Sequence, residues 1–340
     1  MLVVTQKPDA VSEILESSHK LENQDVLIDL LKYVKSKNYK FITTTPRTHA
    51  HFLLQVNARG NSLRNIFGWN TSFSIDAIDS ELKTLMVDAD VIQVNNNLAR
   101  SKLRISSLGS DLFFHSAFPT TEADAIFFGP DTYRFARFIR QSLEKIYYLS
   151  SRINSEPVKK VRILDIGCGT GAGGITAVRS LPESYSYEVT MNDLNQKALD
   201  ATLVNSQVAN VAVNILAGDI FEVLNGEFDL IISNPPYMKD ESGRAYRDGG
   251  EQLGLDLSIR IFETAVKHLA SGGTLLLYTG VAMTSDVDPF LATITPLLDH
   301  IDCTWSYEEI DPDIFGEELE LPTYAQAHRI AAVGLVVTKS

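Results

Sequence analysis

The sequence predicts an α/β fold, a parallel sheet covered by helices on both faces, preceded by a smaller α+β domain. Three observations carry that prediction. From Val161 onward short apolar runs alternate with stretches of helical spacing, the pattern of strands that are buried on both faces. The first run, Val161–Ile166, enters the glycine-rich stretch Gly167-Cys168-Gly169-Thr170-Gly171-Ala172-Gly173-Gly174, where a tight turn can approach a ligand and a following helix can point free N–H groups at it. A later run, Phe228–Ile232, ends in Ser233-Asn234-Pro235-Pro236-Tyr237, and the ends of parallel strands are where such sheets keep their chemistry.

Taken in order, residues 1 to about 20 are polar with scattered apolar positions, and Asp25–Lys37 has helical spacing with an acidic start and a basic end, as the helix dipole favours. A short helical hairpin is expected there. Ser80–Val91 reads as another helix, and Lys102–Ser106 and Asp111–His115 flank Ser107-Leu108-Gly109-Ser110 as a β-hairpin does. Helices followed by a hairpin resemble a winged-helix module that binds nucleic acid or a protein; the other reading has this region pack beside the second domain and shape its pocket. His49, His51 and His115 are the histidines to weigh as ligands, but no carboxylate or cysteine completes a metal pattern, so no metal is expected. Arg59, Arg64, Arg100 and Arg104 are either local anion contacts or a solvated face.

Between the halves runs Ala125–Tyr133, in which Gly129-Pro130 sets a turn and Asp131 or Thr132 is placed to cap a helix through Phe135, Phe138, Ile139 and Leu143. Ser150–Lys160 reads as a surface connection. The boundary falls near residue 120, giving an N-terminal substrate-recognition domain over 1–120 and a catalytic domain over 121–340. Beyond Val161–Ile166 the strands are Glu188–Asn192, Val213–Leu216, Phe228–Ile232 and, after the turn Ser271-Gly272-Gly273, Thr274–Tyr278.

Composition narrows the function. With 340 residues and 44% hydrophobic composition the chain can bury a large core. It has no run of eighteen apolar residues and no basic start leading into one, so neither a membrane span nor a secretion signal is expected and the cytoplasm is the expected location. Cys168 and Cys303 lie too far apart to suggest a disulfide framework or a zinc site. A net charge of −13 argues against holding nucleic acid by bulk electrostatics.

The strand ends carry the candidate chemistry. Asn-Pro-Pro is stiff, because each proline fixes its φ and lacks an N–H, and the result is an edge of acceptors: the Asn234 side-chain oxygen and the Pro235 carbonyl. A planar NH2 group laid there can give both hydrogens to those oxygens while the ring of Tyr237 covers its face. The alternative is a plain turn after a strand. Asp193, twenty-eight positions after Asp165, stands where a carboxylate can take both hydroxyls of a ribose. Asp219 can accept from an adenine amine, with Ile220 and Phe221 as apolar cover. Gly169-x-Gly171-x-x-Gly174 also matches the dinucleotide fingerprint in form, which is a weak signal alone.

The order of these features, an acid before the glycines, a ribose acid on the next strand, an adenine acid on the third and Asn-Pro-Pro-Tyr on the fourth, resembles the class I S-adenosylmethionine (SAM)-dependent methyltransferases over roughly residues 125–340. From Asn234 onward the chain is similar to the release-factor glutamine methyltransferases and the related ribosomal-RNA guanine methyltransferases, with Arg247-Asp248-Gly249-Gly250-Glu251-x-x-Gly254-Leu255-Asp256 close to how the glutamine enzymes continue. Gly129-Pro130-Asp131-Thr132 stands where those enzymes carry Arg-Pro-Glu-Thr and lacks the arginine. The resemblance implies a Rossmann-like seven-stranded sheet whose last two strands, about Thr304–Ile310 and Ile330–Val337, form an antiparallel pair. Between them lies the acidic excursion Asp311–Glu320, which either closes the pocket and helps hold a cationic substrate or is a solvated loop. It further implies SAM as cofactor, held by Asp165, Gly167, Gly169, Gly171, Asp193, Asp219 and Ile220, with Asn234 beside it. Asn234, Pro235 and Tyr237 then hold the nucleophile, a planar amide or amine nitrogen of a protein glutamine, an RNA base or a small molecule. A small-molecule alkyl transferase or SAM-consuming enzyme of secondary metabolism, and a non-catalytic SAM- or RNA-binding module, are the alternatives.

Overall fold

The computed structural model of the protein describes residues 24–55, 60–96, 98–153, 160–240, 246–284 and 287–340. The first half of the expected helical hairpin, Arg59 and most of the expected connection over 150–160 lie outside the described residues. Two compact units divide the chain: one runs to Phe118 without Thr43–Thr45, and the other takes Thr43–Thr45 and Pro119–Ser340.

The first unit is α+β. Residues 24–36 form helix α1, which buries Ile28, Leu30, Leu31 and Val34 along one face. Helices α2 (Pro46–Leu53) and α3 (Ser80–Asp88) follow, and the Asp79 side chain caps α3 by accepting from the Glu81 and Leu82 N–H groups. Strands β1 (Phe73–Ser74), β2 (Ile92–Asn95) and β3 (Leu98–Ser101) make a small antiparallel sheet in the order β1-β3-β2. The expected hairpin forms as β4 (Leu103–Leu108) and β5 (Asp111–Ser116), longer than expected because Ser107 and Leu108 pair across it and leave the turn to Gly109, at φ 63°, and Ser110.

Of the candidate ligands, His49 and His115 serve the packing of this unit. The His49 ring bonds the Trp69 carbonyl at 2.9 Å, and burial, with Arg104 beside it, lowers its pKa to about 4. His115 bonds the Ser106 hydroxyl at 2.8 Å, while His51 is exposed. Arg100 donates to the carbonyls of Asn70 and Phe118, and the buried Arg104 donates to that of Ser116 at 3.3 Å. Both arginines thus bond within this unit instead of forming the solvated face weighed above.

In the second unit one sheet of seven strands carries everything else. They are β6 (Lys160–Ile166), β7 (Ser186–Asp193), β8 (Asn214–Ala217), β9 (Phe228–Ser233), β10 (Leu269–Met283), β11 (Cys303–Asp311) and β12 (Arg329–Lys339), in the order β11-β12-β10-β9-β6-β7-β8. β8, β7, β6, β9 and β10 run parallel, and β12 is antiparallel to both β10 and β11. Strand β10 is ten residues longer than the run Thr274–Tyr278: it starts at Leu269, since Ser271-Gly272-Gly273 is a bulge inside it rather than a turn before it, and it continues to Met283. A Cβ on Gly273 would come within 2.8 Å of the Phe228 carbonyl, so the bulge needs glycine there.

The helices of this unit are α4 (Pro130–Ile153), α5 (Ala172–Arg179), α6 (Gln196–Val208), the single turns α7 (Ile220–Val223) and α8 (Glu251–Gly254), α9 (Asp256–Lys267) and α10 (Pro289–Leu298). Phe135, Phe138, Ile139 and Leu143 form the buried stripe of α4, and the Phe138 ring lies where a side chain at Gly334 of β12 would be. Helix α4 starts at Pro130, where a missing N–H costs nothing, so neither Asp131 nor Thr132 is its cap; the Thr132 hydroxyl instead accepts from the Gly129 N–H at 3.2 Å. Across the sheet, Ile261, Phe262 and Ala265 of α9 and Phe290 and Ile294 of α10 cover the apolar residues of β9, β10 and β12. Among the described residues no helix is long and apolar enough to cross a membrane.

Candidate active site

Register decides which residues meet at the strand ends. Ile166 of β6 pairs with Ser233 of β9 on one side and Asn192 of β7 on the other, and Asp193 pairs with Ala217 of β8. Gly167, Asn234, Asp193 and Gly218 therefore leave the sheet along one edge. The Ser233 hydroxyl fastens two of these ends by donating to the Ile166 carbonyl at 2.9 Å. Over this edge opens a cavity of about 620 Å³, within the range of small-molecule sites. Asp165, Gly167, Gly169, Asp193, Asp219, Ile220, Asn234, Pro235 and Tyr237 all line it. Gly171 does not: at φ 78° it starts α5, and its missing side chain makes room for Thr202.

On the glycine side the carboxylates are fixed by backbone donors. Asp165 accepts from the Gly174 N–H at 2.7 Å, and a Cβ on Gly173 would come within 2.8 Å of the same carboxylate. Burial pushes the Asp165 carboxyl up to about 7, and neighbouring Asp193 pushes the same way against the pull of the Gly174 N–H. Asp193 receives the Gly169 N–H on one oxygen and the Asn195 N–H on the other, both at 2.9 Å, and burial raises its pKa as well. Asp219 caps the turn of α7 through the Phe221 N–H at 3.0 Å. The Arg260 guanidinium lies 3.9 Å from the centroid of Phe221, whose ring is part of the cavity wall. Gly167 and Gly169 sit at φ 68° and 55°, and a Cβ on either meets nothing within 4 Å.

The Asn234 side is built differently. The Asn234 Oδ1, the Tyr237 hydroxyl and the Arg247 Nε are buried without a hydrogen-bond partner. Tyr237 is 7% exposed, and its ring lies over Gly280 of β10 so closely that a Cβ there would come within 2.3 Å of it. The backbone beyond it is gripped by the next loop: Met238 N–H donates to the Arg247 carbonyl at 3.0 Å and Gly249 N–H to the Met238 carbonyl at 2.7 Å. Gly254, at φ 94°, passes so near that a Cβ would come within 2.2 Å of the Tyr237 carbonyl. The buried hydroxyl of Tyr324 accepts the Lys239 N–H at 2.8 Å.

The acidic excursion closes over this side. Ile314 is buried and its N–H donates to the Ile330 carbonyl at 2.8 Å, which turns Phe315 into the cavity wall at φ 52°, a left-handed conformation worth on the order of 1–3 kcal/mol of strain. Its ring centroid lies 6.2 Å from that of Tyr237. Asp311 pairs with Arg134 Nε at 2.8 Å and Glu318 with Arg247, so these acids are neutralised within the protein. Arg134 also meets Asp131 at 3.0 Å, and Asp131 receives the Tyr278 hydroxyl at 3.0 Å; burial still pushes the Asp131 carboxyl up to about 6. Sequence reasoning missed Phe315, Tyr246 and Phe127 as cavity-lining residues, and Gly280 as the residue under the Tyr237 ring, because the cavity joins segments far apart in the chain.

With this geometry, comparison with known proteins is direct. Residues 148–285 match the family model of the methyltransferase small domain. Ribosomal RNA small subunit methyltransferase C of Klebsiella pneumoniae is 32% identical over 120 residues, 35% of this chain and 31% of the relative. Release factor glutamine methyltransferase of Deinococcus radiodurans is 32% identical over 173 residues, 47% of this chain and 57% of the relative. The chain thus spans about a third to just over half of the length of these curated relatives. A solved methyltransferase from Pyrococcus furiosus is 20% identical, with a TM-score of 0.40 over 64% of this chain and 89% of the other.

Proposed function

We propose that the protein is a SAM-dependent methyltransferase acting on a planar amide or amine nitrogen of a protein, an RNA or a small molecule. One observation carries the reading beyond cofactor binding: the Asn234 Oδ1 is buried on the cavity wall with nothing to accept from. Leaving a buried acceptor unmade costs about 1–3 kcal/mol, a cost that a donor brought by a substrate removes. The cavity fits the cofactor on its own terms, with carboxylates at Asp193 and Asp219 for hydroxyl and amine groups and a glycine turn whose open Cβ positions leave room beside it. When bound, SAM supplies an electrophilic methyl group that carries its own leaving group.

The residues of the chain then have to hold and desolvate the nucleophile. An amide or aromatic amine nitrogen is weak because its lone pair is delocalised. Accepting both of its hydrogens at Asn234 Oδ1 and the Pro235 carbonyl raises electron density on it and turns the lone pair out of conjugation, with no strong base required. The ring of Tyr237, fixed over Gly280, covers the growing positive charge. Residues 1–120 are assigned to substrate selection, since the cavity residues named above all come from the second unit.

The test is incubation of the purified protein with methyl-labelled SAM and cell extract, followed by mass spectrometry of what acquires the label. Label on a nitrogen is expected. Binding of S-adenosylhomocysteine with no label transferred to any species would make the protein a SAM-binding module, and binding of NADH in place of S-adenosylhomocysteine would contradict the cofactor.

A further inference from the structure

One stretch of the cavity wall belongs to no helix or strand. Residues 120–128 run as open chain, and residues 123–127 all line the cavity. The two halves of this stretch are held very differently. Ala125 and Ile126 are buried, and the Phe127 ring stacks on that of Tyr246, with planes within 7° of parallel and centroids 6.1 Å apart. Residues 121–124 are exposed, and among the described residues two side chains at the start of α6 tie them to the rest of the protein. Asn195 Nδ2 donates to the Asp124 carbonyl at 2.8 Å, and the Lys197 ammonium meets the Asp124 carboxylate at 2.7 Å and that of Glu122 at 3.5 Å. Asn195 is committed at every polar group named: its N–H donates to Asp193 and its Oδ1 accepts the Lys197 N–H as the cap of α6, which leaves Nδ2 aimed at Asp124. The residue that fixes the Asp193 carboxylate therefore also carries this stretch.

The strength of each hold decides which half moves. Buried apolar side chains keep their place far more firmly than an ion pair whose two partners are both half exposed. Local opening draws on the exposed, weakly bonded part of a segment, so residues 121–124 part from α6 while Ala125, Ile126 and Phe127 stay in the wall. Ala123 and Asp124 line the cavity with Asp193 and Asn195, so the end of the cavity they cover is the one that holds the Asp193 carboxylate. We infer that residues 121–124 are a strap over the cofactor end of the cavity, and that Lys197, acting through Asp124 and Glu122, is the positioning residue that latches it and sets how fast cofactor enters and S-adenosylhomocysteine leaves. This rests on the SAM-dependent reading and adds to it a control on product release, a step that limits turnover in many enzymes. The ion pair is exposed and joins protein to protein, so weakening it changes entry and release together and leaves their ratio, the affinity, in place. It is also screened by salt, whereas S-adenosylhomocysteine has no net charge near neutral pH and brings little salt dependence of its own.

The test measures both rates on the full chain with tritiated S-adenosylhomocysteine, association by rapid filtration and dissociation by chase with the unlabelled compound. Lys197→Ala is expected to raise both rates about two- to fivefold, the scale of one exposed ion pair, with affinity within about twofold of the wild type. Lys197→Arg keeps the charge and is expected to retain the wild-type rates, while Lys197→Glu repels Asp124 and Glu122 and is expected to exceed Lys197→Ala. Lys197 is exposed in the first turn of α6, where alanine is tolerated, and salt gives a second readout that needs no substitution. A tenfold rise in KCl from about 0.05 M is expected to quicken both rates in the wild type and to leave Lys197→Ala unmoved. Equal rates in the wild type and Lys197→Ala would overturn the inference while the cofactor reading stood. So would faster release with affinity lost in proportion, which would make residues 121–124 a plain wall of the cavity. Failure of the wild-type chain to bind S-adenosylhomocysteine would overturn the cofactor reading and the inference with it.

Discussion

On the glycine side of the cavity every named carboxylate already has a backbone donor: Asp165 takes the Gly174 N–H, Asp193 those of Gly169 and Asn195, and Asp219 that of Phe221. Across the cavity, Asn234 Oδ1 and the Tyr237 hydroxyl are buried without a hydrogen-bond partner. The first side is a preformed cradle whose internal bonds hold its shape before anything binds. The second keeps its polar atoms unmatched, at a cost in stability, and is held from outside by glycines at 249, 254 and 280 and by Tyr324. On the proposed reading the contrast separates binding from chemistry: the cradle is assigned cofactor affinity, and the unmatched edge is assigned what can be done with it.

Disturbing the support of the unmatched edge has the largest expected effect. Gly254→Ala forces a Cβ against the Tyr237 carbonyl in a left-handed conformation and moves Asn234-Pro235-Pro236-Tyr237. Turnover is expected to fall about a hundredfold or more, since an ångström of misplacement carries that much, while S-adenosylhomocysteine binding stays within a few-fold. Equal loss of both, measured by steady-state kinetics and calorimetry, would mean the two sides are not separable. Asp193→Ala is the mirror experiment: S-adenosylhomocysteine affinity is expected to fall at least tenfold, about 1.4 kcal/mol, and unchanged affinity in the calorimeter would remove Asp193 from the cradle.

Asp165 gives a test by pH. Its carboxyl is raised to about 7 in the folded chain, while an unfolded aspartate ionises near 4. Between those values the folded state binds a proton that the unfolded state has released, so this residue makes stability fall as pH rises through that window, by on the order of a few kcal/mol, and then level off. Urea denaturation of Asp165→Asn between pH 4 and 8 should show a shallower decline than the wild type, and an identical slope would contradict the assignment. The smallest effect is expected at the rim of the excursion, where Glu318→Gln weakens the ion pair with Arg247. A rise in KM of a few-fold at constant kcat is the expected result, as for a partly exposed pair.

The same contrast explains what was legible in the sequence. The cradle is local: an acid, a glycine turn and the next strand's acid follow in chain order, and β6, β7 and β8 set their strand ends, so Asp165, Asp193 and Asp219 could be proposed from the sequence. Of the glycines, Gly171 was expected in the site through the resemblance, which does not tell a cavity wall from a helix start. The unmatched edge was legible at Asn234 and Pro235, where proline stiffness is a property of the sequence itself. Its walls were not. Phe315 and Gly280 face Tyr237 only through the antiparallel return of β12 beside β10, and the strand expected to end at Tyr278 in fact continues to Met283. Whether the acidic excursion closes the pocket or is solvated stayed open in the sequence, because Asp311 and Glu318 gave no sign that Arg134 and Arg247 would neutralise them.

Asn234→Ala tests the separation most directly, measured twice on the same preparation: turnover with the labelled acceptor, and calorimetric affinity for S-adenosylhomocysteine. Loss of one preorganised acceptor from a transition state is expected to cut turnover about a hundredfold or more. Affinity is expected to stay near the wild-type value, because Asp193, Asp219 and the glycine turn are untouched, and Asn234→Asp, which keeps an acceptor of nearly the same shape, is expected to retain part of the activity. Wild-type turnover in Asn234→Ala would make Asn-Pro-Pro-Tyr a turn and nothing more, and would place the chemistry on some other residue of the cavity.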